Sequence, residues 1–391
     1  MAKTNLYEQL ANLSPEQREL LEKRLREKGF SVPGARIQPR QDGQSEAPLS
    51  YAQQRLWFVQ QFEPENIAYN VGAALRLRGQ LDLDRLQRAL NAIVARHESL
   101  RTSFFKNAQG EACQRIHSPV PIELSVEDLS GETAPESASR SRIHEMAAEP
   151  FDLKSPPLRF QLFRLAEGDH VLALETHHII CDRWSVMVFV RELTRFYADS
   201  NPDLPPLSIH YPDWAIWQRE HLQSEIASNQ LTYWKDHLSG TLPLLDLPTR
   251  SGASSGNAGE HLPLTLDDDL SSRVKAFAKR EQVSIFTLLL TAFKVLLHRY
   301  SSMTDLVVGT EVANRDRPET VGMIGLLVNT LVLRTHLEGR FTFREALNRV
   351  RDTVEGGLNH QDLPFEKLVE SLNPERDINQ LTPLFQVKFD L

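Results

Sequence analysis

Residues 177–185 read HHIICDRWS and place two adjacent histidines, an aspartate and a tryptophan within nine residues. The segment before them, HVLALETHH (170–178), alternates like a half-buried strand, which would point His177 and His178 to opposite faces. The two histidines therefore cannot both serve one small site. After the motif, apolar side chains recur at helical spacing: Val186, Phe189, Val190, Leu193 and Tyr197. We predict a strand-to-helix turn, where side chains emerge from a rigid scaffold.

This turn is open to three chemical interpretations. A metal site needs a third ligand at suitable spacing, and neither HExxH nor CxxC accompanies the pair. Asp182 opens the following helix and is placed either to cap it or to pair with an arginine that holds the turn rigid. Packed and capping side chains explain an isolated HHxxxD pattern as well as catalysis does, so the flanking sequence has to decide.

Composition limits the class of protein. The chain has 391 residues, 41% of them hydrophobic and 25% charged, which is enough for two cores. Its formal net charge of -8, without a long Lys/Arg stripe, argues against a nucleic-acid surface. The two cysteines, Cys113 and Cys181, are too few for a disulfide framework. The first residues lack a signal-peptide core, and no window approaches the roughly 20 apolar residues of a bilayer span. We predict a cytoplasmic protein with no membrane partner.

The chain is predicted to have four parts. Residues 1–30 form a linker or docking helix, with its first turn capped at Ser14, and residues 31–47 form a flexible Pro/Gly/Gln-rich linker. One lobe spans residues 48–218 and a second spans 219–391. Whether the N-terminal helix packs on its own protein or meets a partner is left open.

Helices and strands alternate in both lobes. Strands are predicted at PLRFQLFRL (157–165), HVLALETHH (170–178), LVVGTEVANR (306–315) and LVNTLVLRTHL (327–337), and helices at 82–100 and 284–300. A long helix after residue 341 is predicted to break near Gly356 and Gly357, with a short helix from about Pro364. The closing PLFQVKFDL (383–391) alternates like a strand, which suggests a truncated chain.

Seven segments in order resemble the motifs of the condensation domains of nonribosomal peptide synthetases. They are LSYAQQRLWFV (49–59), RHESLRTSF (96–104), HHIICDRWSV (177–186), YPDWAIWQ (211–218), IGLLVNT (324–330), HQDLPFEKLV (360–369) and RDINQLTPLFQVKF (376–389). Each segment alone is weak to moderate support. Together they extend the resemblance over about residues 48–391.

The resemblance implies a fold and an activity. The fold would be α/β, with α+β two-layer sandwiches forming two chloramphenicol-acetyltransferase-like lobes in a V-shaped pseudo-dimer with a central tunnel. The reaction would be amide formation, in which a carrier-bound acceptor amine attacks a carrier-bound donor thioester. No cofactor would be bound directly, since partner carrier proteins present phosphopantetheine thioesters. Upstream donor and downstream acceptor peptidyl carrier proteins would be the partners, with an adenylation domain adjacent in the full-length protein.

Site residues follow from the same matching. His178 matches the active-site histidine of the family, and His177 and Asp182 are supporting positions. The resemblance implies a salt bridge from Asp182 to an arginine of RHESLRTSF, with Arg101 preferred over Arg96. Trp184 and Ser185 would pack the turn.

Three further positions, Arg183, Trp214 and Asn329, are expected at the substrate tunnel. For Trp214 a core aromatic is favoured over a substrate contact, and for Asn329 a packing network satisfies the amide as readily as a ligand does. Arg183 stands where the family usually has glycine, which puts in doubt any backbone approach that needs a bare glycine or a positive φ.

Competing functions are separated by sequence. A heterocyclisation domain would carry aspartate where His177 stands, an epimerisation domain should lack the HQDLPFEKL pattern, and plant-type acyl-CoA transferases carry a later DFGWG that is missing here. A non-catalytic carrier-protein-binding module, or an inactive synthetase fragment, remains the alternative from another class.

Overall fold

The computed structural model describes residues 37–41, 43–247, 262–372 and 384–391, so the predicted helix over 1–30 lies outside the described residues. Contacts divide the chain into two compact units. Of the described residues, those up to Ile226 and Ala313–Val328 form the first unit, and those within Ala227–Val312 and Asn329–Leu391 form the second. The predicted boundary at residue 218 puts Ala313–Val328 in the second lobe, whereas these residues, called the return segment below, belong to the first unit.

The predicted flexible linker over 31–47 is wrong for its described part. Ile37 is 1% exposed and belongs to the core of the first unit. The guanidinium of Arg40 bonds both Asp213 (2.8 Å) and Glu98 (2.6 Å). Burial of an apolar side chain and pairing of a partly buried charge hold this segment against the unit, which a composition rich in Pro and Gln does not reveal.

The first unit contains two sheets. One is the antiparallel sheet β1-β4-β3, and the other is β2-β7-β6-β5, in which only the β5–β6 pair is parallel. The strands are β1 (Glu46–Pro48), β2 (Asn70–Arg78), β3 (Thr102–Lys106), β4 (Ala112–Ile116), β5 (Ser125–Asp128), β6 (Leu158–Ala166) and β7 (Asp169–His177). The two strands predicted before the histidines are confirmed as β6 and β7.

Helices cover both faces of the four-stranded sheet. The helices of the first unit are α1 (Tyr51–Phe62), α2 (Leu83–Arg96), α3 (Pro135–Ala147), α4 (Arg183–Ala198) and α5 (Tyr211–His221), with 3₁₀ turns at Glu98–Arg101 and His178–Ile180. Helices α2 and α4 lie on one face of the sheet and α3 on the other. Leu172 and Leu174 of β7 face the main core, with the apolar stripes of α2 and α4. Val171 and Ala173 face the opposite way, toward α3. This period-two alternation leaves β7 buried on both sides.

The second unit packs helices on a two-stranded antiparallel sheet of β8 (Asp305–Val312) and β9 (Asn329–His336). Its helices are α6 (Glu225–His237), α7 (Asp268–Arg280), α8 (Ile285–Ser301), α10 (Phe343–Asn359) and α11 (Phe365–Leu372), and the short α9 (Pro318–Val321) lies in the return segment. The predicted cap of α8 is confirmed, since Ser284 accepts a hydrogen bond from Thr287 N. The final residues meet β8 through a parallel bridge between Lys388 and Gly309.

The predicted break near Gly356 and Gly357 is wrong, because α10 runs unbroken to Asn359. A Cβ on Gly356 would lie 2.3 Å from the hydroxyl oxygen of Tyr233. The glycine therefore serves close helix packing, which outweighs its low helix propensity.

Candidate active site

The two histidines of the motif have different surroundings. β7 ends at His177, whose side chain is fully buried, while His178 begins the 3₁₀ turn and is half-buried. The backbone N–H of His178 donates to Tyr69 O of the segment before β2 (2.8 Å). The turn is thus attached to the sheet at its first residue.

One hydrogen bond determines the tautomer of His178. Its Nδ1 lies 2.6 Å from the carbonyl oxygen of Cys181, which can only accept, so Nδ1 carries the proton. In the neutral ring Nε2 then holds a lone pair, and it makes no hydrogen bond to any described residue. His178 therefore presents a fixed basic nitrogen, as a group that accepts a proton or orients an amine requires.

His177 has the reverse arrangement. Its Nδ1 accepts the backbone N–H of Ile179 (3.1 Å), so a neutral His177 ring carries its proton on Nε2. Burial, and secondarily the neighbouring His178, lower the pKa of His177 to about 4. At neutral pH this ring is uncharged and holds the turn through Ile179.

Asp182 is the centre of a buried network. Its carboxylate accepts from the backbone N–H and hydroxyl of Ser185 (2.8 and 2.7 Å) and from Leu327 N (3.1 Å). It also pairs with the guanidinium of Arg315, with both oxygens 3.0 Å from Nη2. Asp182 and Arg315 are both almost fully buried, so each charge depends on the other.

The prediction that Asp182 pairs with Arg101, or alternatively with Arg96, is therefore wrong. Arg101 donates to the carbonyl of His117, and Arg96 lies 3.3 Å from Glu192. The true partner, Arg315, is 133 positions away along the chain. It belongs to the return segment, and no local signal in the sequence connects it with the motif.

Residues Met323–Leu327 of the return segment supply the remaining hydrogen bonds of this network. Ser185 Oγ, which donates to Asp182, accepts from the backbone N–H of Gly325 (3.0 Å) and lies 3.0 Å from the carbonyl oxygen of Gly325. Trp184 Nε1 donates to Val321 O (2.9 Å). The predicted packing roles of Trp184 and Ser185 therefore extend to specific hydrogen bonds with the return segment.

Other motif residues hold the same two segments. Ser99 donates to Ile324 O (2.8 Å), and Tyr211 donates to Leu326 O (2.8 Å). The hydroxyl of Tyr211 also lies 2.8 Å from that of Ser50. Gln53 donates to Ile179 O in the turn (3.1 Å). Side chains from three separated motifs thus bond the turn of His178 or residues 324–326, or bond each other beside them. Sequence reasoning assigned no role to Ser50, Gln53, Ser99 or Tyr211.

Arg183 occupies the first helical position of α4 and is exposed. It is not among the described residues with positive φ, so the backbone there does not require glycine. Its guanidinium makes no hydrogen bond or ion pair with a described residue.

Trp214 and Asn329 are engaged in packing. Trp214 is 3% exposed and contacts the ring of Tyr211 in the main core, which agrees with the core alternative rather than with tunnel lining. Asn329, in the second unit, donates to Gln361 O and Leu363 O (2.8 Å each) and accepts from Phe365 N (3.0 Å). Its amide therefore clamps the HQDLPF segment, and the packing alternative accounts for it.

A buried thiol lies within the motif at Cys181. Burial raises the pKa of the Cys181 thiol well above its usual range, so it stays protonated. Among the described ranges, no three His, Cys, Asp or Glu side chains are grouped so as to hold a metal ion. None of the individual helices in these ranges has the length and apolar character to cross a bilayer.

Comparison with known proteins supplies the context. The family model described as Condensation domain matches residues 43–391. A linear gramicidin synthase of Brevibacillus parabrevis is 45% identical over 354 residues, which cover 88% of this chain and 7% of that protein. The chain thus spans a small fraction of the length of such relatives.

Solved structures give the same fold. The complex of the X-domain and OxyB from teicoplanin biosynthesis matches with a TM-score of 0.79 at 31% identity, covering 92% of this chain and 79% of that one. The first condensation domain of the CDA synthetase matches with a TM-score of 0.71 at 24% identity, covering 84% and 80%. The expected α/β condensation-domain fold is confirmed for this chain.

Proposed function

The chain belongs to the condensation-domain family of nonribosomal peptide synthetases, and from this membership we propose that it catalyses amide bond formation between two carrier-bound substrates. The amine of an acceptor aminoacyl thioester attacks the carbonyl carbon of a donor thioester. A C–N bond forms, the C–S bond breaks, and the proton lost by the amine leaves with the donor thiol. The ester is already activated, so holding the two tethered reactants together supplies much of the rate.

His178 is the proposed catalytic residue. The observation that carries this role is its hydrogen bond to Cys181 O, which leaves the Nε2 lone pair directed by a rigid turn. That nitrogen accepts the ammonium proton or a hydrogen bond from the attacking amine. His177 and Asp182 act as positioning residues, the first through Ile179 N and the second through Arg315.

The partners are proposed on the same basis. Phosphopantetheine thioesters would be delivered by an upstream donor carrier and a downstream acceptor carrier, with an adenylation domain adjacent in the full-length protein. Arg183, exposed beside the turn, would meet a substrate or carrier only if it bends toward the acceptor. A cytoplasmic location suits this pathway.

A single-turnover assay with donor- and acceptor-loaded carrier proteins tests the proposal. His178→Asn keeps a donor near the position of Nδ1 but lacks the basic nitrogen, and should slow amide formation by about 10²- to 10⁴-fold. His144→Ala, at an exposed histidine of α3, is the matched control and should retain the full rate. Equal rates for wild type and His178→Asn would exclude this role for His178.

A second candidate is a protein-binding module that keeps the fold without turnover. It is favoured by one comparison, since the X-domain that resembles this chain is described in a complex with another protein. Under this alternative the wild type forms no amide in the single-turnover assay but still binds a carrier protein in a pull-down. Amide formation that depends on His178 would exclude it.

A further inference from the structure

Three residues of the first unit, Asn70, Glu175 and His177, carry polar side chains on one face of the β2–β7 ladder, next to the histidine turn. In the β2–β7 ladder, Asn70 pairs with His177 and Gly72 pairs with Glu175. Residues two apart on a strand share a face, so Asn70, Glu175 and His177 all project to one side of the sheet. Directly opposite residues have Cβ atoms about 4.5–5.5 Å apart, which brings the Asn70 and His177 side chains into neighbouring positions.

Four buried atoms in this group have no hydrogen-bond partner among the described residues: Asn70 Oδ1, both carboxyl oxygens of Glu175, and His177 Nε2. The amide orientation of Asn70 is fixed, because its Nδ2 donates to Ala147 O and Glu149 O (2.8 and 2.9 Å). Its Oδ1 is therefore an acceptor. His177 Nε2 carries a proton in the neutral ring, because Nδ1 accepts from Ile179 N, so it is a donor.

Glu175 completes the group as a carboxyl placed against bare backbone. The residue is 1% exposed, and its Oε2 lies 2.6 Å from the point where a Cβ on Gly72 would stand. Arg159 is opposite Glu175 on β6, but its guanidinium donates to Glu149 O and Pro150 O. Burial raises the pKa of Glu175, with Arg159 acting against the shift. The glycine therefore provides room that any larger residue would remove.

We propose that a buried water bridges His177, Asn70 and Glu175, and that Glu175 is through this water a positioning residue for the turn that carries His178. The water accepts from His177 Nε2–H and donates to Asn70 Oδ1 and to a Glu175 oxygen. Such a water makes three hydrogen bonds, the usual number for an internal water in a protein. Its effect on rate rests on the proposed function, whereas its presence does not.

Positioning follows from a short chain of contacts. The water holds the His177 ring in the tautomer whose Nδ1 accepts Ile179 N, and Ile179 lies within the 3₁₀ turn that begins at His178. Without the water, His177 Nε2–H, Asn70 Oδ1 and the Glu175 oxygen that the water would bond are all buried unpaired, which proteins avoid. The ring would then rotate or change tautomer, and the turn would lose an anchor.

Nitrogen NMR of histidine-labelled protein tests this directly. The His177 ring is assigned through its contacts with Tyr69 and Phe151, whose ring centroids lie 6.1 and 6.4 Å away. The wild type should show the Nε2–H tautomer with slow solvent exchange of that proton. Glu175→Leu should mix the tautomers and speed the exchange, while Glu175→Gln, which keeps an acceptor, should preserve the wild-type signal.

Matched controls separate this effect from general disturbance. Glu167→Leu and Glu167→Gln alter an exposed glutamate in the β6–β7 turn and should leave the His177 signal unchanged. If Glu175→Leu does not fold, Gly72→Ala replaces it, because the new Cβ would displace the carboxyl of Glu175. An unchanged His177 spectrum in Glu175→Leu or Gly72→Ala, or the same change in Glu167→Leu, overturns the proposal.

Single-turnover rates complete the test. Glu175→Leu should lower the rate by roughly 10- to 100-fold, because small misplacements of a catalytic group cost up to about this factor. Glu175→Gln should stay within about threefold of wild type, since the hydrogen-bonded arrangement survives. An unaltered rate beside a changed tautomer overturns the positioning role. No turnover in any form, with the expected spectra, refutes the proposed function and leaves the bridging water supported.

Discussion

Replacing Asp182 by alanine should destabilise the first unit far beyond the loss of a helix cap. In the native protein the carboxylate of Asp182 faces the guanidinium of Arg315, and both side chains are 3% exposed or less. The substitution removes the negative charge and leaves the positive one buried. Arg315 keeps its hydrogen bonds from Nη1 to Thr320 O and Met323 O, so it stays tied inside the unit rather than escaping to solvent.

The size of the effect follows from two separable losses. Removing an N-cap aspartate costs about 1 kcal/mol. Breaking a buried ion pair on one side costs about 3–5 kcal/mol in all, because the remaining charge is uncompensated. We therefore expect the free energy of unfolding to fall by about 3–5 kcal/mol in Asp182→Ala.

Urea unfolding followed by circular dichroism measures this loss, and Asp82→Ala is the matched control. Asp82 caps α2 through Arg85 N at an exposed site, so its removal should cost only about 1 kcal/mol. The double variant Asp182→Ala/Arg315→Met removes both charges. It should be less destabilised than the sum of the single variants by at least about 1 kcal/mol.

Two results would refute this reasoning. One is an Asp182→Ala variant that loses no more stability than Asp82→Ala, which would mean that Arg315 finds compensation elsewhere. The other is a double variant whose loss equals the sum of the single losses, which would mean that the pair is not coupled.

Further predictions concern four other positions. Asn329→Ala should lower the free energy of unfolding by about 2–3 kcal/mol, because it removes the hydrogen-bond partner of the partly buried Gln361 carbonyl and of the buried Leu363 carbonyl and Phe365 N–H. A loss below about 0.5 kcal/mol in urea unfolding would contradict the clamp. Gly325→Ala should reduce the folded fraction on a gel-filtration column, because a Cβ there would lie 2.0 Å from the Tyr211 ring; full recovery would show that Tyr211 can move. Arg183→Gly should change the single-turnover rate less than about twofold, because the side chain is exposed and makes no hydrogen bond or ion pair with a described residue; a tenfold rise would show that Arg183 restricts the acceptor. Burial lowers the pKa of Lys294 to about 7 from 10.5, so between those pH values the unfolded state binds more protons and the free energy of unfolding rises by about 1.4 kcal/mol per pH unit. The free energy of unfolding of the wild type minus that of Lys294→Met, measured by urea unfolding, should therefore rise with pH by about this amount per unit. A difference that stays constant from pH 7 to 10 would contradict the lowered pKa.

Local patterns predicted the elements that carry the site. The alternation of residues 170–178 identified β7, and the apolar spacing after Asp182 identified α4. The different burial of His177 and His178 has another origin, because β7 is buried on both faces and ends at His177, whereas His178 begins the 3₁₀ turn. These predictions succeed because strand and helix periodicities are set by neighbours a few residues apart, and caps such as Ser284 act within one turn.

Long-range partners were beyond that reasoning. Arg101 was the expected partner of Asp182 because it stands in a recognisable motif, yet Arg315 reaches Asp182 from the return segment. The described part of the linker was misjudged for a similar reason, since Ile37 is buried by residues far along the chain. Composition and periodicity do not indicate which distant segments of the chain come into contact.

The sequence by itself determined the family and the position of the histidine turn on a strand-to-helix junction, and it predicted that His178 rather than His177 carries the chemistry. Only the tertiary structure decided which charge balances Asp182 and which ring nitrogen of each histidine carries the proton. It also decided that Asn70, Glu175 and His177 meet across the β2–β7 register. Pairing of charges and hydrogen-bonding groups depends on distances in space, which the order of residues along the chain does not specify.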